Sequence, residues 1–169
     1  MGEFFENILN LSYWEIMSDL HGGLAMMSLV LFGAVIILLK SVDKFARATV
    51  WLKNSLLGLL ASLATLDFMG LFIYRAYRDA GPTSPRSILK SSEDTAWLHS
   101  TVFEHKEFLA LVPVVLILVA TIIVFKQNKS FKNSAGLRKI VLFAVLTALF
   151  YVLVVAAEAV LVTKAAPLG

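Results

Sequence analysis

The chain contains no cysteine. That absence excludes disulfides, thiolate metal sites, c-type haem attachment and iron–sulfur clusters together. Charge is also scarce, at 16% of residues, and it is unevenly spread. Residues 22–39 and 108–125 are two runs of 18 residues without a charge. Residues 54–74 carry only Asp67, and residues 140–163 carry only Glu158. No Gly-rich phosphate loop, Ser-His-Asp arrangement or nucleotide motif is present, which leaves the common soluble chemistries without a foothold.

What is present is apolar length. As a helix rising about 1.5 Å per residue, each of the four runs covers roughly the 30 Å hydrocarbon core of a bilayer. A hydrophobic content of 59% and a mean hydropathy of +0.80 exceed what the core of a soluble domain of this length requires. The runs occupy about half of the chain, so residues 1–169 read as one membrane domain. Short connections make sequential helices antiparallel neighbours. The expected fold is therefore all-α, an integral membrane up-and-down four-helix bundle.

Charge placement sets the expected orientation. Lys40, Lys44, Arg47 and Lys53 lie between spans one and two, opposed only by Asp43. Lys126, Lys129, Lys132, Arg138 and Lys139 lie between spans three and four, with no acid among them. The other side carries six Lys or Arg against nine acids. The positive-inside rule makes both basic loops cytoplasmic and puts both termini outside. The basic pI then calls for no nucleic acid, although the loops can attract anionic lipid. The N-terminus is acidic (Glu3, Glu6), unlike a secretory signal, so no cleaved leader is expected.

Two segments outside the spans carry pattern. Over residues 4–17, Phe5, Ile8, Leu9 and Ile16 fall at helical spacing, and Tyr13 and Trp14 are belt residues, which predicts a short N-terminal interfacial helix. Residues 79–87 are dense in turn formers. Ser91, Ser92, Glu93 and Asp94 then read as a helix start near residue 92. Tyr74, Tyr77 and Trp97 outside, with Trp51 inside, are expected in the aromatic belts.

His21 immediately precedes span one and His105 precedes span three. In an up-and-down bundle these helices are diagonal and parallel, so both imidazoles fall near the outer face and can act as the two axial ligands of a b-type haem. Gly22, Gly23, Ala25 and Ser28 would let a flat ring approach, Leu109, Val112 and Leu116 would wall it, and Arg75 and Arg78 could neutralise propionates. His99, six residues before His105, is about 240° away around a helix and reads as a polar residue on an exposed face. Pro113 frees the carbonyl of Leu109 and is expected to kink the third span.

Asp67 and Glu158 are the second constellation. An ionisable group in a span normally faces a bundle interior, a cavity or a partner. With the histidines they make a two-histidine, two-carboxylate set that zinc, iron or copper can accept. The Glu-x-x-His motif of diiron bundles is absent, however. A proton relay to a quinone or haem, or a structural hydrogen bond, suits the two acids better than metal ligation.

The stretches from Leu20 to Met26 and from His105 to Pro113 resemble small four-helix membrane proteins associated with haem–copper oxidase assembly. There too a histidine opens helix one, and another precedes helix three with a proline eight residues on. That family's further histidines, ahead of helices two and four, are replaced here by Lys53 and Lys132. The resemblance implies a prokaryotic energy-transducing membrane and a haem or copper connection. The resulting expectation is a small membrane subunit of a respiratory, electron-transfer complex with haem b between His21 and His105. A non-catalytic accessory subunit packing on other membrane subunits, or a haem- or copper-handling assembly factor, are the alternatives.

Overall fold

A computed structural model describes residues 12–44 and 47–166, leaving aside the side chains of residues 128 and 129. Some 87% is helical, with no strand among the described residues. Four helices are long and apolar enough to cross a membrane. These are α1 (Tyr13–Ser41), α2 (Ala48–Tyr77), the run that ends in α5 (Glu104–Lys126), and α7 (Ala135–Ala165). Between α2 and α5 lie α3 (Pro85–Lys90), α4 (Glu93–Trp97) and a wide π-helical turn (Leu98–Phe103); α6 (Asn128–Phe131) precedes α7.

Local chemistry sets the helix ends. α1 begins nine residues ahead of its uncharged run because Ser12 and Glu15 form a capping box: the Ser12 amide donates to Glu15 Oε2 at 2.7 Å, and the Glu15 amide donates to Ser12 Oγ at 3.2 Å. Tyr13, Trp14 and Ile16 are therefore the first turn of α1, while residues 4–11 of the expected interfacial helix lie outside the described residues. Ser84 caps α3 with Pro85 in its first turn, and Ser92 caps α4, as the hydroxyl–acid pattern predicts. The turn-rich 79–87 segment is thus turn up to Ser84 and helix from Pro85. α5 continues through a buried Pro113.

α1 packs on α2, α2 on α5, α5 on α7, and α7 back on α1, leaving α1 opposite α5. The main core fills the end that carries the basic loops. α2 supplies Leu52, Leu56, Leu59, Leu63 and Leu66 at alternating spacings of four and three, one continuous helical stripe. Phe32, Val35 and Leu39 of α1 meet it, as do Ile117, Ala120 and Val124 of α5 and Val141, Val145 and Ala148 of α7. Small residues such as Ala120 and Ala148 let helices approach closely. Phe131 of α6 closes this end. Ser28 Oγ donates to the Leu24 carbonyl, so the buried 2.8 Å bond between Ser28 and Ser62 is donated by Ser62 and ties α1 to α2.

Only 17–28% of each apolar window is buried inside the bundle. The remainder, including Val30, Phe68, Phe108, Phe143 and Phe150, faces outward. An apolar exterior of this extent suits lipid rather than water.

A second, smaller core caps the opposite end, built from Tyr77, Leu89, Leu98, Val102, Phe103, Val162 and Ala166. The Tyr77 and Phe103 rings stack with centroids 3.6 Å apart and planes within 6°. Tyr77 is thus a core residue of the cap and not a belt residue. The π-helical turn inserts an extra residue per turn and brings Leu98, His99, Val102 and Phe103 all inward.

Candidate functional site: polar groups between two apolar cores

Between the main core and the cap, every long helix contributes an ionisable side chain. An acid within a span normally faces a partner, a cavity or the bundle interior, and Glu158 of α7 faces His105 of α5, with Nδ1 and Oε1 2.5 Å apart. The Glu158 side chain is 15% exposed and that of His105 is 53% exposed. One carboxylate oxygen, Oε2 of Glu158, is buried with no partner among the described residues. The second ring nitrogen of His105, Nε2, makes no hydrogen bond with the described residues.

Lys106 follows His105 and is partly buried. Its ammonium lies 5.0 Å from the Phe103 ring centroid, and it is close enough to act electrostatically on Glu107, Glu158 and His21. A lysine two residues ahead of an apolar run reads as an ordinary helix-end cation, and sequence reasoning passed over it. Its position between His105 and Glu107 was the available signal.

His21 packs against α2, with Cε1 3.8 Å from the point where a side-chain carbon on Gly70 would lie. Its Nδ1 is buried without a protein partner. Gly22 and Gly23 face open space, and Ser28 is bonded to Ser62. The small-residue stripe below His21 therefore serves α1–α2 packing at Ser28. No hydrogen bond joins His21 to His105 among the described residues; His21 lies against α2 and His105 is bonded to α7.

Asp67 sits one turn inward of Gly70, with Oδ2 buried and unpartnered by protein. No hydrogen bond links Asp67 to Glu158 among the described residues. Among the described residues, no group of three or more His, Asp or Glu side chains is arranged to hold a metal ion.

The two arginines part company. Arg78 Nη2 donates to Glu104 at 2.6 Å and to Glu107 at 3.4 Å, and the guanidinium lies 4.8 Å from the Tyr74 ring. Burial pulls its pKa down, but Tyr74 and the two glutamates outweigh this and hold it raised. Its charge is taken up by carboxylates. Arg75 is exposed and lines an outer cleft of about 430 Å³ with Trp14, Asp79 and Ser84.

His99 overturns its expectation. It is only 4% exposed, with Nδ1 3.0 Å from the Tyr77 hydroxyl and Nε2 3.9 Å from Glu104. The π-helical turn and the cap supplied by residues 85–97 enclose it, and neither can be read from its spacing to His105.

No family model matches the chain, and comparison with curated proteins and with solved structures finds no match.

Proposed function

We propose that this chain is a small membrane subunit of a prokaryotic respiratory complex, and that the outer half of its bundle handles protons. The observation that carries the reading is the His105–Glu158 pair. A histidine hydrogen-bonded to a carboxylate within an apolar span is a donor–acceptor unit poised to exchange a proton. Asp67, His21 and Lys106 add protonatable groups on three further faces. A reduced quinone, or a redox centre on a neighbouring subunit, is the partner class such a unit serves. The topology in this reading is up-and-down, with the basic loops cytoplasmic, both termini outside and the N-terminal segment in the outer interface. Native cysteine is absent, so Lys132→Cys in an otherwise unchanged chain should react with a membrane-impermeant maleimide only after the membrane is opened. Reaction in sealed, right-side-out vesicles would reverse the orientation.

A second reading, a haem- or copper-handling protein, is favoured by one feature. Glu158 takes up Nδ1 of His105, the outer-sphere arrangement that leaves Nε2 for a metal. Haem b shared by His21 and His105 suits the arrangement less well, because the His105 ring is bonded to α7 through Glu158 while the His21 ring lies against α2. The visible spectrum of the reduced, purified protein separates the readings. The proton-handling subunit is expected to be colourless. Reduced b-type bands lost in both His21→Ala and His105→Ala would replace it with the shared haem, and bound copper lost in His105→Ala alone would replace it with the copper reading.

A further inference from the structure

At the opposite end of the bundle, the last turn of α1 and the first turn of α7 enclose a cleft of about 210 Å³. Its lining is divided by chemistry. Lys40, Arg138 and Lys139 are cationic, Asp43 is the one acid, and Leu39, Ala135 and Leu142 are apolar. Arg138 is held in place: one guanidinium nitrogen donates to the Lys132 carbonyl, and the other lies 3.8 Å from Asp43. Asp43 is 54% exposed, so water screens it and it offsets little of the surrounding charge. Lys40 and Lys139 are exposed and form no ion pair with the described residues. The cleft thus keeps a net positive charge beside an apolar wall, at the mouth of two candidate membrane spans.

We propose that this cleft binds the phosphate head group of an anionic phospholipid. Size, charge and direction agree. The volume is below the roughly 300–1,000 Å³ of sites that enclose a whole small molecule, but it admits a head-group phosphate whose chains remain outside. Leu142 and Leu146 follow Lys139 at the third and seventh positions on one face of α7, and Ile36 and Ile37 precede Lys40 on α1. Leu146 and Ile37 are exposed. An acyl chain leaving the phosphate therefore meets apolar side chains along the bundle. Basic pockets between membrane helices are the arrangement that recognises anionic lipid head groups, with Arg138 supplying a fixed fork and the lysines mobile point charges.

The test uses the full chain in mild detergent, with native mass spectrometry reading the lipid retained from a mixture of phosphatidylglycerol and phosphatidylcholine of matched chains. Phosphatidylglycerol should be retained preferentially. Lys40→Gln and Lys139→Gln should each lower retention about fivefold, and the double variant about twenty-fivefold, from the contribution of a lysine near an anionic surface. Lys40→Arg should retain binding, and Lys90→Gln at the other end of the bundle should change nothing. Both lysines are exposed, so loss of fold does not confound the result. Equal retention of the two lipids, or an unchanged double variant, overturns the proposal. Binding of inorganic phosphate to the lipid-free protein as tight as that of phosphatidylglycerol would also overturn it, because the site would then recognise a free anion rather than a lipid.

Discussion

Phe32→Ala and Phe103→Ala should each cost about 3–5 kcal/mol, toward the lower end, with the loss appearing in different parts of the protein. Phe32 is wholly buried in the main core. Lipid is as apolar as a bundle interior, so the stabilisation it provides comes from packing rather than from leaving water. Truncation opens a cavity among the leucine stripe of α2 and its partners, which should lower the denaturant midpoint of the whole bundle. Phe103 stacks on Tyr77 at 3.6 Å and lies within 6.2 Å of the Tyr74 ring centroid. Removing it takes away the centre of the cap, on which the Tyr74, Tyr77 and His99 rings converge. Hydrogen exchange should then quicken across residues 85–107 while α1 and the inner half of α7 keep their protection. Uniform quickening over all four long helices would show that cap and bundle unfold together.

The difference between those two variants also marks where the sequence is informative. The four spans are plain from uncharged length alone, and the observed helices contain each of them. Their ends depend on single side chains. The capping box of Ser12 and Glu15 starts α1 ahead of its apolar run, because a polar turn exposed to water needs capping rather than hydrophobicity. The cap is less legible. Tyr77 and His99 are 22 residues apart and meet only because a π-helical turn rotates His99 inward. Periodicity at 3.6 residues per turn cannot anticipate that turn, so His99 looks exposed on paper and is buried in the fold. Arg78 and Lys106 have the same difficulty. Each looks like a helix-end cation until the fold brings carboxylates to it. Asp67 and Glu158 are conspicuous from the cost of burying charge, and of the partners that reasoning demands, Glu158 has His105 while Asp67 Oδ2 has none among the described residues. It could not say that Glu158 would take His105.

If the chain handles protons in a respiratory complex as proposed, Glu158→Gln should preserve the bundle and reduce proton-coupled turnover of that complex by about a hundredfold or more, the scale of a lost general acid–base group. The amide keeps the size of the carboxyl group and can still hydrogen-bond His105 Nδ1, but it cannot take up and release a proton. Glu158→Leu removes the hydrogen bond as well. Breaking a fully buried pair costs about 3–5 kcal/mol. His105 is 53% exposed and can recover part of its solvation, so about 1–3 kcal/mol is expected here. Assembly should weaken in the leucine variant and hold in the glutamine variant. Asp67→Asn provides the control for a continuous path. Asp67 forms no hydrogen bond with Glu158 or His105 among the described residues, so its effect should add to that of Glu158→Gln within about 0.5 kcal/mol, as for independent sites. A larger coupling would mean that a proton passes between the diagonal helices. Normal turnover in Glu158→Gln, together with failed assembly in Glu158→Leu, would reduce the pair to a hydrogen bond that holds α5 to α7 and remove the basis for proton handling.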